Sequence, residues 1–296
     1  MNVLITGANG QLGHCIYDVV KNRDDHFFIF TDICGDFSYY DKLDITDNKA
    51  VREYIDEHDI NCIINCAAYT NVDQAEIDFQ LAKQLNETAP AMLGKMLGEN
   101  GLFIHVSTDY VFGGIPFNTP INENQETSPI GVYGKTKKDG EDLIKFFKHE
   151  NVVIVRTAWL YSEYGKNFLK TIKNLLKTKE EIKVVYDQVG SPTYAGDLAE
   201  TLVYIATHFT DFTYSGTYHY TNEGVCSWYD FAKEISYNVD SKCVINPCLS
   251  NEFETKAKRT AYSVLDKAKI KNIFKIQIPY WKDSLQKCIE RLNKNT

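Results

Sequence analysis

Two residues are placed to do acid–base chemistry together: Tyr133 and Lys137, within Ser128-Pro-Ile-Gly-Val-Tyr-Gly-Lys-Thr-Lys-Lys-Asp-Gly-Glu141. The pattern from Lys135 to Phe147 reads as a helix, and side chains four apart on a helix share a face. A free phenol titrates near ~10 and exchanges protons poorly at neutral pH. An ammonium about 5 Å away, at an effective dielectric of ~20, favours phenolate by ~3 kcal/mol, which brings the phenol into the working range of an acid or base. Taken alone, the pair is better explained by a packed ring and a solvated face of Lys135, Lys137 and Lys138. The chemical reading requires a cofactor site nearby.

Such a site is legible at the other end of the chain. Val3-Leu-Ile-Thr6 reads as a buried strand running into Gly7-Ala-Asn-Gly-Gln-Leu-Gly13 and then a helical pattern through Val20. Gly7, Gly10 and Gly13 let the backbone turn tightly and approach a pyrophosphate, whose charge the helix N-terminus holds. A second strand, Phe27-Phe-Ile-Phe-Thr31, ends in Asp32, 19 residues beyond Gly13, where an acidic side chain takes the adenosine ribose hydroxyls. Without an Arg beside it, Asp32 repels a 2′-phosphate, so NADH is expected over NADPH. Small residues, Ala67 and Ala68, follow the third strand, and Thr108 and Asp109 emerge where Leu102 to Val106 ends.

The strands and helices needed to position these groups alternate along the first half. Strands are expected at 60–66, 102–106 and 152–156, with helices over 48–58, 74–86 and 89–99 and Thr46 or Asp47 as an N-cap. This order predicts an α/β fold, a doubly wound parallel sheet of Rossmann type with a smaller mixed α/β substrate domain. Residues 1–160 are expected to bind NAD(P), with segments near 185–210 returning to that domain, and 161–296 to bind substrate. In the second part, helices are expected over 166–178, 195–209, 228–237 and 280–292, and short strands at 183–186 and 218–221. The aromatic residues of 228–237 read as core.

The 296 residues are 44% hydrophobic and 24% charged, an ordinary globular balance that one large or two moderate domains fit. The formal charge of −8, with lysines spread along the chain, excludes a nucleic-acid surface. No apolar run reaches a membrane span, and Met1-Asn-Val-Leu-Ile-Thr enters a strand at once, so a cytoplasmic location is expected. The eight cysteines include no C-x-x-C pair and read as reduced, mostly buried residues. His105, in mid-strand, reads as a core imidazole. No catalytic metal is expected.

Read together, Gly7 to Gly13, Leu43-Asp-Ile-Thr-Asp47, Asn65-Cys-Ala-Ala-Tyr-Thr70, Ser107-Thr-Asp-Tyr-Val-Phe112, Tyr133-Gly-Lys-Thr-Lys137 and Arg156-Thr-Ala-Trp159 resemble the extended short-chain dehydrogenase/reductases, and within them the dTDP-4-dehydrorhamnose reductase family. The likeness continues through Gly165-Lys-Asn-Phe168, Asp187-Gln-Val-Gly-Ser-Pro-Thr193, Gly216 to Asn222 and Tyr262-Ser-Val-Leu265, so it spans nearly the whole chain. The resemblance implies that Tyr133 protonates the oxygen at sugar C4 as a nicotinamide hydride reaches that carbon. By the same resemblance Lys137 lowers the tyrosine pKa and binds the nicotinamide ribose, and Thr108 hydrogen-bonds the reacting oxygen. Cofactor contacts are implied at Gly10, Gln11, Leu12, Asp32, Asp44, Ile45, Ala67, Ala68 and Tyr69, and contacts to a dTDP-linked 4-keto-6-deoxy sugar at Thr108, Asp109 and Trp159.

The chain departs from that family at Gly131, where Asn is usual, at Gly113, where Asp is common, and over 254–260, where Lys258 and Arg259 are candidates for the substrate pyrophosphate. Some relatives dimerise through a magnesium held by an acidic residue; Cys15 stands at that position, so no metal is carried over, and a monomer or homodimer is expected. Two other functions fit the resemblance: another nucleotide-sugar 4-ketoreductase or epimerase, and a regulatory subunit of methionine adenosyltransferase.

Overall fold

Val3, Leu4 and Ile5 have no solvent exposure at all, although successive strand residues face opposite ways. A strand buried on both faces is what a parallel sheet with helices on each side requires. The computed structural model, which describes residues 1–35, 38–148, 150–209, 212–252 and 256–294, contains that sheet. Its strands are β1 (Asn2–Thr6), β2 (Phe27–Asp32), β3 (Asp41–Lys42), β4 (Cys62–Asn65), β5 (Leu102–Thr108), β6 (Val152–Thr157) and, from far along the chain, Gly216–His219. All pair in parallel, in the order Gly216–His219, β6, β5, β4, β1, β2, β3.

One face carries Val3, Ile5, Cys62, Ile64, Val153 and Val155 against α1 (Gln11–Val20) and the Ala195–His208 helix. The other carries Leu4, Ile63, Phe103 and Ile154 against α2 (Asn48–Glu57), α3 (Ala89–Met96) and α4 (Val132–Phe147). Each fully buried aliphatic side chain contributes ~1.5–3 kcal/mol, so alternation along the strands fastens helices to both faces. Asp47 is the N-cap of α2, accepting from the amides of Lys49 and Ala50.

The remaining residues form a smaller layer. Glu181–Val185 pairs in parallel with Val244–Cys248, and α5 (Phe168–Thr178), Trp228–Ser236 and Trp281–Lys294 enclose a core around Tyr161, Leu169, Phe231 and Leu285. Two-residue ladders join 160–161 to 193–194 and 189–190 to 226–227.

The expected helix over 74–86 is broken. It divides into Val72–Ala75 and Phe79–Lys83, followed by a π-helical turn, Gln84–Thr88. The reason is local: Tyr69 Oη donates to Asp78 at 2.7 Å, and the wide turn carries Asn86 inward to meet Tyr69. Among the described residues, no helix is long and apolar enough to cross a membrane, and no cluster of three or more His, Cys, Asp or Glu is arranged to hold a metal. All eight cysteines are free.

Candidate active site

A cavity of about 800 Å³ opens at the carboxyl ends of β1, β4, β5 and β6, where the strand order reverses direction. Gly7, Gly10, Gln11, Leu12, Gly13, Asp32, Asp44, Ile45, Ala67, Ala68, Thr108, Asp109, Tyr133, Lys137 and Trp159 all line it. Tyr69 does not; its phenol is turned to Asp78 and its amide to Asn86. Gly7 has φ +72°, and a Cβ there would lie 2.7 Å from the Ala67 nitrogen, so only glycine lets β1 turn so close to the end of β4. The N-cap of α1, Gly10, supplies no side-chain acceptor to the first-turn amides. Unsatisfied donors at a positive helix end fit the pyrophosphate of a dinucleotide. At the rim, Asp32 accepts from the amides of Asn9 (3.0 Å), Ile33 (2.7 Å) and Cys34 (3.2 Å). Asp44 accepts from the Thr46 amide and hydroxyl.

The polar groups at the end of β5 meet α4. Tyr133 hydrogen-bonds Thr108, whose Oγ1 also donates to Asp109 at 3.1 Å. Lys137, 1% exposed, donates to the Val106 carbonyl at 2.7 Å and stands 3.2 Å from His105 Nε2. His105 Nδ1 in turn lies 2.9 Å from Asn65 Nδ2, and Asn65 Oδ1 accepts from Thr6. The charge balance differs from the expected one. Burial, opposed by the Thr108 hydrogen bond and reinforced by Asp109, holds the Tyr133 phenol above its ordinary range, and Lys137 is not among the groups acting on it. Burial also lowers Lys137 to about 8 and raises Asp109 to about 7. The lysine is seated on the Val106 carbonyl, beside His105.

A second cavity, of about 1110 Å³, meets the first at Thr70, Val72, Asp109, Tyr110 and Trp159, and extends into the smaller layer past Trp228, Gln188, Lys258 and Arg259. Trp159 has φ +49°, a left-handed conformation that costs a non-glycine residue of order 1 kcal/mol. Its ring lies parallel to that of Trp228, 3.6 Å between centroids. Arg259 is paired with Asp73 at 2.7 Å and donates to Tyr110 Oη. Of the divergent segment 254–260, Glu254 and Thr255 lie outside the described residues. At the two glycine departures, a Cβ at Gly131 would meet the flexible Glu76 carboxylate at 2.8 Å, and one at Gly113 the Ile130 side chain at 2.6 Å.

Two positioning side chains escaped the sequence reading. Asn86, fully buried, braces Tyr69 through both its backbone groups and reaches Thr136 on α4. Glu76 caps α4 from outside by accepting from the Val132 amide at 2.9 Å. His105 is the satisfied core imidazole expected, but one of its partners is Lys137. Only the polar Asn inside an apolar helical pattern was a readable signal.

A sheet edge built for a dinucleotide, with a tyrosine one helical turn from a buried lysine beside it, is the arrangement of a short-chain dehydrogenase/reductase of the extended class. The family described as the RmlD substrate binding domain matches residues 1–294. A crystal structure of a dTDP-4-dehydrorhamnose reductase from Clostridium acetobutylicum is 40% identical and superposes with a TM-score of 0.90, covering 99% of this chain and 100% of that one. The dTDP-4-dehydrorhamnose reductase of Bacillus anthracis, solved in complex with NADP, is 36% identical with a TM-score of 0.85, covering 100% and 99%. A Streptomyces antibioticus protein, named as a probable dTDP-4,6-dihydroxy-2-methyloxan-3-one 4-ketoreductase, is 38% identical over 90% of this chain and 86% of its own. The chain belongs to the dTDP-4-dehydrorhamnose reductase family.

Proposed function

We propose that this protein reduces the 4-keto group of a dTDP-linked 6-deoxy hexose, and in particular converts dTDP-4-dehydro-L-rhamnose to dTDP-L-rhamnose. The observation that carries the reading is the meeting of the two cavities at Asp109 and Trp159, with Thr108, Tyr133, Lys137 and the glycine cradle lining the first. A bound nicotinamide dinucleotide supplies hydride to the sugar carbon. Gly7, Gly10, Gln11, Leu12 and Gly13 would hold its pyrophosphate and Asp32 its adenosine ribose, Asp44 and Ile45 would flank its adenine, and Ala67 and Ala68 would give it room against the backbone.

Tyr133 Oη gives its proton to the oxygen at C4 as negative charge develops there. A phenol held above its ordinary range is fully protonated at neutral pH, and an alkoxide is a stronger base than any phenolate, so the transfer is downhill. Thr108 Oγ1 orients the phenol and the reacting oxygen. Lys137 presents its ammonium to the nicotinamide ribose from a fixed seat on Val106. Trp159 offers an apolar ring to the C6 methyl.

Asp32 argues for NADH, whereas the Bacillus anthracis relative was solved with NADP; the proposal therefore extends to NAD(P)H. The Streptomyces relative makes another dTDP-4-keto sugar the second reading of substrate. The test is loss of reduced-nicotinamide absorbance with dTDP-4-dehydro-L-rhamnose, with each cofactor, alongside other dTDP-, UDP- and GDP-linked 4-keto sugars, with the product identified. Formation of dTDP-L-rhamnose at the highest kcat/KM supports the narrow reading. Cofactor binding without oxidation by any sugar overturns the ketoreductase assignment.

A further inference from the structure

Trp159 is held from two sides by one small piece of structure. Its indole lies flat on Trp228, 9° from parallel. On another side, a Cβ at Gly190 would stand 2.7 Å from Trp159 Cε2 and 2.6 Å from Ser263 Oγ, so glycine leaves only the space the indole fills. Gly190 pairs with Cys226 and Val189 with Ser227 in a two-residue antiparallel ladder, and Trp228, the next residue, is the first of the following helix. Ser227 and Asp230 form a capping box that starts the Trp228–Ser236 helix at that point. The ladder thus fixes the floor and wall of one slot. The Trp159 carbonyl is tied down by the Thr193 amide at 3.1 Å, and Phe168 abuts Trp228 with centroids 4.5 Å apart. These contacts hold Trp159 in the left-handed backbone conformation it would otherwise leave.

We infer that Trp228 is a positioning residue of the reaction: with Gly190 it clamps the Trp159 indole, and the clamp sets where the sugar ring lies relative to Tyr133. The inference rests on the reading of Trp159 as a sugar contact. Trp228 belongs to the smaller layer and Trp159 to the end of the main sheet's last long strand, so the clamp joins sugar recognition to the acid. A sugar displaced by even a fraction of an ångström loses its alignment for hydride and proton delivery.

The stack has its own spectroscopic signature. The chain has only three tryptophans, and the third, Trp281, contacts Phe231 and Tyr280, so an exciton couplet in far-ultraviolet circular dichroism reports the Trp159–Trp228 pair. In Trp228→Leu the couplet disappears, KM for the dTDP-sugar rises about tenfold or more with a smaller fall in kcat, and the NADH dissociation constant stays within about twofold of wild type. Gly190→Ala, which pushes on the indole from the other side, gives the same split without touching Trp228. Trp228→Phe, which restores an aromatic floor, returns KM most of the way.

Loss of the couplet in Trp228→Leu with KM and kcat unchanged overturns the inference, as does Gly190→Ala with wild-type KM. Should the ketoreductase reading itself be wrong, the signature differs: wild-type couplet and NADH binding are intact, but no dTDP-sugar is turned over.

Discussion

Lys137 answers to pH in two opposed ways. Burial brings its ammonium down to about 8 from the ordinary 10.5. If the charge is needed to hold the cofactor ribose, kcat/KM falls as pH rises through about 8, and that limb is absent from the residual activity of Lys137→Met. For stability the sign reverses. A lysine whose folded pKa is lowered contributes stability fully above its unfolded value, and loses it as pH falls towards about 8; the urea midpoint of wild type relative to Lys137→Met therefore rises between pH 8 and 10.5. Tyr133→Phe is expected to lower kcat by about 10²–10⁴ with NADH affinity within about twofold; near-normal turnover would remove Tyr133 as the acid. Asp32→Ala deletes the charge nearest the adenosine ribose seat, so the ratio of NADPH to NADH affinity is expected to rise about tenfold, or ~1.4 kcal/mol. Equal changes for both cofactors in a binding titration would show that Asp32 does not discriminate. At this scale the sequence was most readable where type and spacing alone decide, as for the glycines and the Tyr/Lys pair. What type and spacing do not show is the seat of the lysine, on the Val106 carbonyl and beside His105, both distant in sequence.

The helix that carries Tyr133 and Lys137 is fastened to the sheet by a charge pair with almost no exposure. Arg156 on β6 donates through Nε (2.9 Å) and Nη2 (2.6 Å) to Glu141 on α4, and Ser107 on β5 donates to the same carboxylate at 2.6 Å. Removing one partner leaves the other charge buried and unpaired, so Glu141→Ala is expected to cost ~3–5 kcal/mol in urea unfolding; a loss under about 1 kcal/mol would show the pair to be dispensable. The start of α4 also explains where element boundaries were legible. The pattern from Lys135 onward marks a helix, but the first turn, from Val132, is capped by Glu76, 56 residues earlier. Likewise the break after Ala75 comes from Tyr69 and Asn86 finding partners across a turn, which local periodicity does not contain. Long buried strands such as Val152–Thr157 are recognisable from their own residues, whereas two-residue ladders are not.

For the whole molecule, the main sheet is finished by Gly216–His219, which pairs with β6, and is covered on one face by the Ala195–His208 helix. The short strand itself was anticipated over 218–221, but its place beside β6 is a long-range pairing that its sequence does not announce. Trp228 shows the same limit: helical spacing marked it as core, and only the fold reveals the cavity it lines. A fragment of residues 1–160 would leave the β6 edge bare and the α1 face of the sheet half-covered. It is expected to elute as aggregate and to show no cooperative urea transition, while the full chain unfolds cooperatively; a soluble, cooperatively unfolding fragment would establish 1–160 as a self-sufficient unit.

That late closing strand also sets a timetable for a chain being made. Between the end of β6 and the start of Gly216–His219 lie roughly 60 residues, which a ribosome takes ~3–12 s to add. For that interval the nascent sheet carries an apolar strand with one unpaired edge, the feature most apt to capture a neighbouring chain. Neighbouring nascent chains on one message are the partners nearest to that edge while it stays open.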